Sequence, residues 1–458
     1  MPARSGTDAA PHPSPADTAT TTATTAPATA AGPPTPDAAP NGPAHTPPAP
    51  ASVWASREYR ALWAASGWSL VGDQLARVAL TVMLFQATGS ASAAAWGGAV
   101  TFLAPVIGGL LLSGAGDRWP RRQVMVTCDL ISAVLIAAMA MPGLPLAVMV
   151  VLLGAASLLY APFNAARMAL TRDVFPDNER AAKAIGTNTI TLQLAILSGA
   201  LIGGTAVTLV GARGALLVDA ATFLLSAALV RRWVAARPPA RPGGDLAAEV
   251  VGSAGSTLRL IFTDPALRTG ALYAWLPVFL IAPSGVAALY AAELGGGARL
   301  LGVLLAAPSA GLVAGTVVLH RLPFAAQQRW MVPGAVLACV PLAATATDPG
   351  LAVVLVLWTV AGLGSSYMMI TQTLFMAAVP NHRRAQAGGL VSSLMLGVQG
   401  AGMLAAAALA DATSPATAVA VFGTAGTLAA LTLAPAGRRL TTPRPAVPAG
   451  DGTPAGTA

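Results

Sequence analysis

Charge is what this sequence has least of. Only 10% of its 458 residues are Asp, Glu, Lys or Arg, against about a quarter in an ordinary soluble domain. A water-facing surface cannot be covered at that density, which excludes a soluble globular protein. Lysine occurs once, as Lys183, and every other basic side chain is arginine. Cysteine occurs twice, at Cys128 and Cys339, each inside an apolar run. Two isolated thiols make neither a disulfide framework nor a metal site and read as small core residues. The four histidines, His12, His45, His320 and His382, fall in tails or loops. No histidine, metal-ligand cluster or nucleophile–base pair lies at membrane depth. The pattern argues against an enzyme and calls for no metal and no cofactor.

What the chain has instead is apolar length. It is 55% hydrophobic with a mean hydropathy of +0.66. Apolar stretches recur, each near the ~20 residues needed to cross a bilayer core. They fall near 61–86, 91–113, 123–141, 146–169, 184–210, 214–230, 268–290, 299–319, 329–346, 350–376, 385–410 and 414–434. The expectation is an all-α integral membrane protein with twelve transmembrane helices. Residues 1–53 are Ala-, Pro- and Thr-rich and cannot bury enough surface to offset their ordering entropy, so a disordered cytoplasmic tail is expected there, and another at 437–458. A polar stretch at 231–267, a cytoplasmic linker with room for an amphipathic helix, separates one six-helix unit at 54–230 from a second at 268–436.

The formal net charge of +8 does not point to nucleic acid, because the arginines recur in every second loop rather than in one patch. With the amino terminus inside, twenty-one basic side chains from Arg57 to Arg444 fall on the cytoplasmic side, and only Arg213 and Arg299 fall outside. The positive-inside rule then puts both termini in the cytoplasm. The halves also share a faint repeat. Pro176, Arg180 and Ala181 follow the fourth span as Pro380, Arg384 and Ala385 follow the tenth, at a constant offset of 204 residues. Paired six-helix units are a common way to build transporters.

Between the second and third spans stands Ser113-Gly-Ala-Gly-Asp117-Arg118-Trp119-Pro120-Arg121-Arg122. Four permanent charges there cannot enter hydrocarbon, so the stretch lies at a membrane surface. Its spacing resembles the signature loop of the major facilitator superfamily of transporters, roughly G-x-L-A-D-R-x-G-R-R. Asp117, Arg118, Arg121 and Arg122 match the charged positions, while Ser113 and Pro120 stand where glycines are usual. The resemblance extends over 57–435. Gly72-Asp73, Phe163-Asn-Ala-Ala-Arg167, Val174-Phe-Pro-Asp-Asn-Glu-Arg180 and the glycine-rich Gly199-Ala-Leu-Ile-Gly203-Gly204 look like the branch of bacterial drug and siderophore exporters. Two departures stand out. Ala200 replaces a usual proline, and 146–162 holds no charge where proton-coupled exporters often carry an arginine.

The resemblance implies a fold of two pseudo-symmetric six-helix bundles and alternating access, with no covalent chemistry. It also implies a cytoplasmic gate in which Asp117 approaches the amino-terminal end of the eleventh span near Gly388-Gly389. A helix N-terminus favours a carboxylate by ~0.3–1 kcal/mol. Arg121 and Arg122 are the expected partners of Asp129 or Glu179, and Asp129 joins that cytoplasmic network.

Ionisable residues at membrane depth are costly and are candidates for function by default. Asp73 and Arg77 sit mid-way along the first span at i, i+4, on one face and within pairing reach. They are read either as the proton-coupling site or as a static pair that fixes packing. Asp219 is read as a solvated acid near the extracellular end of the sixth span. Asn188, Gln193, Tyr367, Gln372 and Gln399 are the candidate substrate-cavity residues. Met368, Met369, Met376, Met395 and Met403 supply adaptable apolar surface or plain packing. The reading is a monomeric transporter in a bacterial plasma membrane, in contact with lipid, that exports a small amphipathic molecule by proton antiport. An importer or uniporter of the same fold, and a non-transporting membrane sensor, are the alternatives.

Overall fold

The computed structural model describes residues 52–112, 119–175, 177–237, 246–380 and 383–441. The two expected tails lie almost wholly outside the described residues, and Asp117 and Arg118 lie outside them too. Among the described residues the regular structure is helical throughout. The first half contains α1 (Arg57–Thr88), α2 (Ala91–Leu112), α3 (Arg121–Met139), α4 (Leu146–Leu158), α5 (Tyr160–Val174) and α6 (Asn178–Trp233). The linker helix α7 (Leu246–Thr263) follows. The second half contains α8 (Pro265–Trp275), α9 (Pro277–Leu280), α10 (Ala282–Glu293), α11 (Ala298–His320), α12 (Phe324–Ala343), α13 (Leu351–Gly364), α14 (Tyr367–Ala378), α15 (Arg384–Ala412) and α16 (Pro415–Thr441).

Capping chemistry sets several of these ends. Ser56 accepts from the Tyr59 N–H to start α1, and Gly89, at φ 67°, closes it through an N–H bond to the Phe85 carbonyl. Asp264 accepts from the amides of Ala266 and Leu267 ahead of Pro265 in α8. Proline explains one interrupted span. Pro277 and Pro283 lack the amide a helix interior needs, so the seventh span is three short helices rather than one.

Eleven helical stretches are long and apolar enough to cross a membrane, and the longest of them is two spans in one. α6 has 56 residues and would be ~84 Å long if straight, against a hydrocarbon core of ~30 Å. It breaks at Gly211, whose φ of 74° and ψ of 167° are non-helical. The chain reverses there. A Cβ on Gly199, before the break, would lie 2.6 Å from the Gln74 Cβ, and Asp219, after it, packs against Gly72. Both arms of α6 therefore lie along α1. The architecture is all-α with twelve membrane-spanning segments in two six-helix bundles, a multi-pass membrane protein.

Alanines, with Met403 set among them, carry much of the contact between the halves. α2 offers Ala91, Ala94, Ala95 and Ala99, and α15 offers Met403, Ala406, Ala407 and Ala410, all buried in one apolar core. Both sets are spaced i, i+3, i+4 and roughly i+7, which is one helix face. In lipid there is little hydrophobic drive between helices, so close backbone approach through alanine and glycine provides the attraction.

Candidate functional site

The interior of the first bundle gathers the ionisable residues. Asp219 is fully buried at 0% exposure, where the sequence suggested a solvated acid. The reason is Gly72. A Cβ at that position would collide with the Asp219 carboxylate and the Thr222 hydroxyl, so only glycine lets the acid tuck against α1. Asp219 Oδ1 lies 3.2 Å from Thr222 Oγ1, while Oδ2 has no hydrogen-bond partner among the described residues. The neighbouring residue on α1 is Asp73, and its charge acts on both Asp219 and Asp129.

Asp73 and Arg77 do not close the ion pair their spacing allowed. Arg77 donates instead to the Gln74 side chain, and its guanidinium lies 5.8 Å from the centre of the Phe102 ring on α2. Arg77 still attracts Asp73 electrostatically. The i, i+3 glutamine intercepts the guanidinium and leaves the carboxylate without a hydrogen bond or ion pair among the described residues.

Asp129 also departs from expectation. It accepts 2.6 Å from the Ser226 hydroxyl, buried between α3 and the second arm of α6, and pairs with neither Arg121 nor Arg122. It lies two helical turns from those arginines, and its side chain turns inward. Arg121 pairs with Asp173 at 2.5 Å, tying the start of α3 to the end of α5, and Arg122 donates 2.7 Å to the Arg231 carbonyl. The expected contact of Asp117 near Gly388-Gly389 lies outside the described residues.

Sequence reasoning missed three residues here. Asp173 is the real partner of Arg121. Arg167 looked like the close of the fourth span, but that span runs on to Val174, placing Arg167 about 10 Å inside it. There it donates 2.6 Å to Asn164. Asp411, the third, sits at the end of α15.

The proposed cavity residues scatter. Asn188 is buried, Gln193 and Gln399 are half-buried, and Gln372 is exposed. Tyr367 is fully buried, and its hydroxyl donates 3.1 Å to the Tyr273 carbonyl, a contact within the second bundle. Of the methionines, Met403 is 3% exposed. A Cβ on Gly98 of the first half would collide with it, and one on Gly285 would lie 2.6 Å from its carbonyl oxygen.

The buried apolar cores are arranged differently at the two ends. At the end bearing Ser90 and Asp411 a single core draws side chains from both bundles, including Leu80, Ile136, Tyr290, Trp358 and Met403. α6 and α11 touch there through glycines: a Cβ on Gly302 would lie 2.6 Å from the Ala200 carbonyl oxygen, and one on Gly204 2.5 Å from the Ala298 carbonyl oxygen. The glycine-rich stretch 199–204 thus serves two contacts, with α1 through Gly199 and Gly203 and with α11 through Gly204. Asp411 closes this end, accepting from the Ser90 hydroxyl at 2.6 Å and from the amides of Ala91 and Ser92 at 2.6 and 2.9 Å. At the arginine-rich end the cores are separate. Leu62, Met125, Leu170 and Val230 form one in the first half, and Tyr273, Leu319, Met331 and Tyr367 form another in the second.

This arrangement has known counterparts. Solved structures of similar fold include a POT family transporter in complex with a thioalcohol-conjugated peptide, with a TM-score of 0.67 at 12% identity over 84% of this chain and 97% of that one. Another POT family transporter, in complex with 5-aminolevulinic acid, has a TM-score of 0.65 at 13% identity over the same shares. A bacterial homologue of the human lysosomal transporter Spinster, inward-facing and unoccupied, has a TM-score of 0.59 at 14% identity over 84% and 97%. At such identities they show the fold alone. No curated protein sequence matches the chain. The family model of the Major Facilitator Superfamily matches residues 62–323, more than half of the sequence. With the twelve-span, two-bundle fold, that match places the chain in the major facilitator superfamily of membrane transporters, to which it belongs.

Proposed function

We propose that this transporter exports a small amphipathic molecule by proton antiport, with the first bundle carrying the proton and the second forming the apolar wall of the substrate path. One asymmetry carries this reading. Asp73, Arg77, Asp129, Arg167 and Asp219 all belong to spans of the first bundle. In the second bundle 269–292, 300–319, 330–347, 351–379, 386–410 and 415–437 contain no charged residue at all. A zwitterionic substrate needs complementary charge on both walls of its site. An apolar or singly charged one does not, and Met368, Met369, Met376 and Met395 suit it.

In this reading the arginine-rich end is cytoplasmic by the positive-inside rule. The end where Asp411 meets α2 is then the extracellular one, and a conformation closed there is inward-facing. Asp73 is the group that exchanges the proton, because it faces Arg77 and the two other acids without a fixed hydrogen bond. Asp219, whose Oδ2 has no hydrogen-bond partner among the described residues, holds the proton in transit.

The test is accumulation of a fluorescent lipophilic cation inside everted vesicles, with an imposed pH gradient, for wild type and Asp73→Asn. Gradient-driven transport that is lost in the variant supports antiport through Asp73. Transport unaffected by collapsing the gradient removes proton coupling. Uptake of a small peptide instead would establish the importer alternative.

A further inference from the structure

We infer that Asp129 is the next acid on the proton's route from Asp219 toward the arginine-rich end, and that Ser226 is the residue that positions it. The inference rests on the antiport reading and extends it. Both side chains are buried, Asp129 at 2% and Ser226 at 0% exposure, and the Ser226 hydroxyl donates 2.6 Å to Asp129 Oδ2. Asp129 has no ion pair among the described residues. An acid held at membrane depth by a hydroxyl is costly, and chains of such acids mark proton relays in transporters. The charged and titratable groups around it are few. α3 packs chiefly against α4, α5 and α6. α4 has none. α5 brings Tyr160 and Arg167, with Arg172 exposed and Asp173 held by Arg121. The second arm of α6 brings Asp219, with Arg213, Arg231 and Arg232 exposed toward its ends. Cys128 adjoins Asp129 on α3, Arg121 and Arg122 lie two turns away, and Asp73 of α1 acts on it through its charge.

The second arm of α6 joins this acid to Asp219. Asp219, Thr222 and Ser226 stand at i, i+3 and i+7, one face of that arm, and from the first to the last is about 10 Å of helix rise. The arm runs from Gly211 to Arg231 and Arg232, so this face leads from Asp219 toward the arginine-rich end. Asp219 Oδ1 lies 3.2 Å from Thr222 Oγ1 at one end of the face, and Ser226 holds Asp129 at the other. The step between them, Thr222 to Ser226, is an i, i+4 pair about 5–6 Å apart at Cβ, which one bridging water spans. The proton then moves with its balance kept. Asp219 gives its carboxyl proton to the Thr222 oxygen, and Thr222 passes its own to the water. The water gives one to Ser226, and Ser226 gives its original proton to Asp129. Both hydroxyls and the water end as they began, and Asp129 gains the proton that Asp219 lost. One turn nearer the arginine-rich end, Met125 and Val230 are fully buried in an apolar core, so the proton rests on Asp129 until that layer opens.

Infrared titration of the purified full-length protein tests Asp129 without any substrate. Wild type should show a protonated-carboxyl band that disappears as pH rises and is missing from Asp129→Asn. Ser226→Ala should displace the pH of that loss, and Ser226→Thr, which keeps the hydroxyl, should restore it. Identical titrations of wild type and Asp129→Asn would mean that this acid exchanges no proton, and would overturn the inference. The route is read in everted vesicles, as accumulation of ethidium driven by a pH gradient relative to ethidium counterflow. Asp129→Asn and Thr222→Val should each lower that ratio about a hundredfold, the low end of what a positioned proton-transfer group contributes, and Thr222→Ser should restore it. A ratio lowered by Asp73→Asn and untouched by Asp129→Asn leaves antiport standing and overturns this step. Wild-type transport indifferent to the gradient removes antiport, and this route with it. With no ethidium transport in wild type, the infrared titration alone decides.

Discussion

The carboxylate of Asp411, at the last turn of α15 in the second bundle, accepts a 2.6 Å hydrogen bond from the hydroxyl of Ser90, which precedes α2 in the first. It also takes the amides of Ala91 and Ser92, two of the N–H groups that a helix start leaves without a partner. One bundle thus supplies the N-cap of a helix in the other, and the cap exists only while this end is closed. Replacing an N-cap by alanine costs ~0.5–2 kcal/mol. Asp411→Ala should therefore shift the balance between conformations roughly 2- to 30-fold toward the state open at this end. Spin labels at Met141 and Thr347, both exposed, would show a longer distance in the variant, with Cys128 and Cys339 replaced beforehand. An unchanged distance distribution would make the clasp incidental.

Gly72 should tolerate no side chain. A Cβ there would collide with the Thr222 hydroxyl and the Asp219 carboxylate. Gly72→Ala should cost ~1–3 kcal/mol of bundle stability by overpacking and sharply reduce transport. On the same helix, a Cβ on Gly67 would rest 3.6 Å from Thr191 Cγ2, ordinary contact. Gly67→Ala should behave as wild type. Thermal melting of the purified pair in detergent is the check, and equal melting temperatures would refute the account of why Asp219 is buried.

Asp219→Asn preserves shape and removes the exchangeable proton. If Asp219 carries protons, the variant should still equilibrate substrate downhill while failing to concentrate it against a gradient. If Asp219 only fills space, transport and its pH profile should both survive. The comparison of counterflow with gradient-driven flux decides between them.

The α6–α11 crossing leaves no volume for a branched side chain. Gly302→Val should hold the Ser90–Asp411 end apart, lengthening the Met141–Thr347 distance and cutting transport by at least about tenfold, the equivalent of ~1.4 kcal/mol. A normal rate in this variant would show that the two helices separate without consequence.

Tyr367→Phe removes a buried hydrogen bond to the Tyr273 carbonyl. The expected result is a loss of ~0.5–1.5 kcal/mol in stability with an unchanged KM. A KM change of several-fold would return Tyr367 to the cavity.

Apolar runs near the length of a bilayer crossing made the twelve spans legible in order, and even the α6 reversal showed as two runs separated near Gly211. Candidate acids were legible as types in unusual places. Their partners were not. Arg77 had an acid at i+4 spacing and a glutamine at i+3, and spacing alone does not say which receives the guanidinium. Asp129 lay two turns from Arg121 and Arg122, yet Ser226, almost a hundred residues away, takes its carboxylate. Arg167 was misplaced because hydropathy falls before the helix itself ends.

Composition and hydropathy by themselves determined that this chain lives in a membrane, how often it crosses and which ends carry the arginines. Those properties follow from the cost of moving each side chain into hydrocarbon, which hardly depends on its neighbours. Tertiary structure alone decided that Asp219 is buried, that Arg121 belongs to Asp173, and that Asp411 reaches across to cap α2. A hydrogen bond or a close glycine contact depends on distances of a few ångströms between helices remote in the chain, and only their packing sets those.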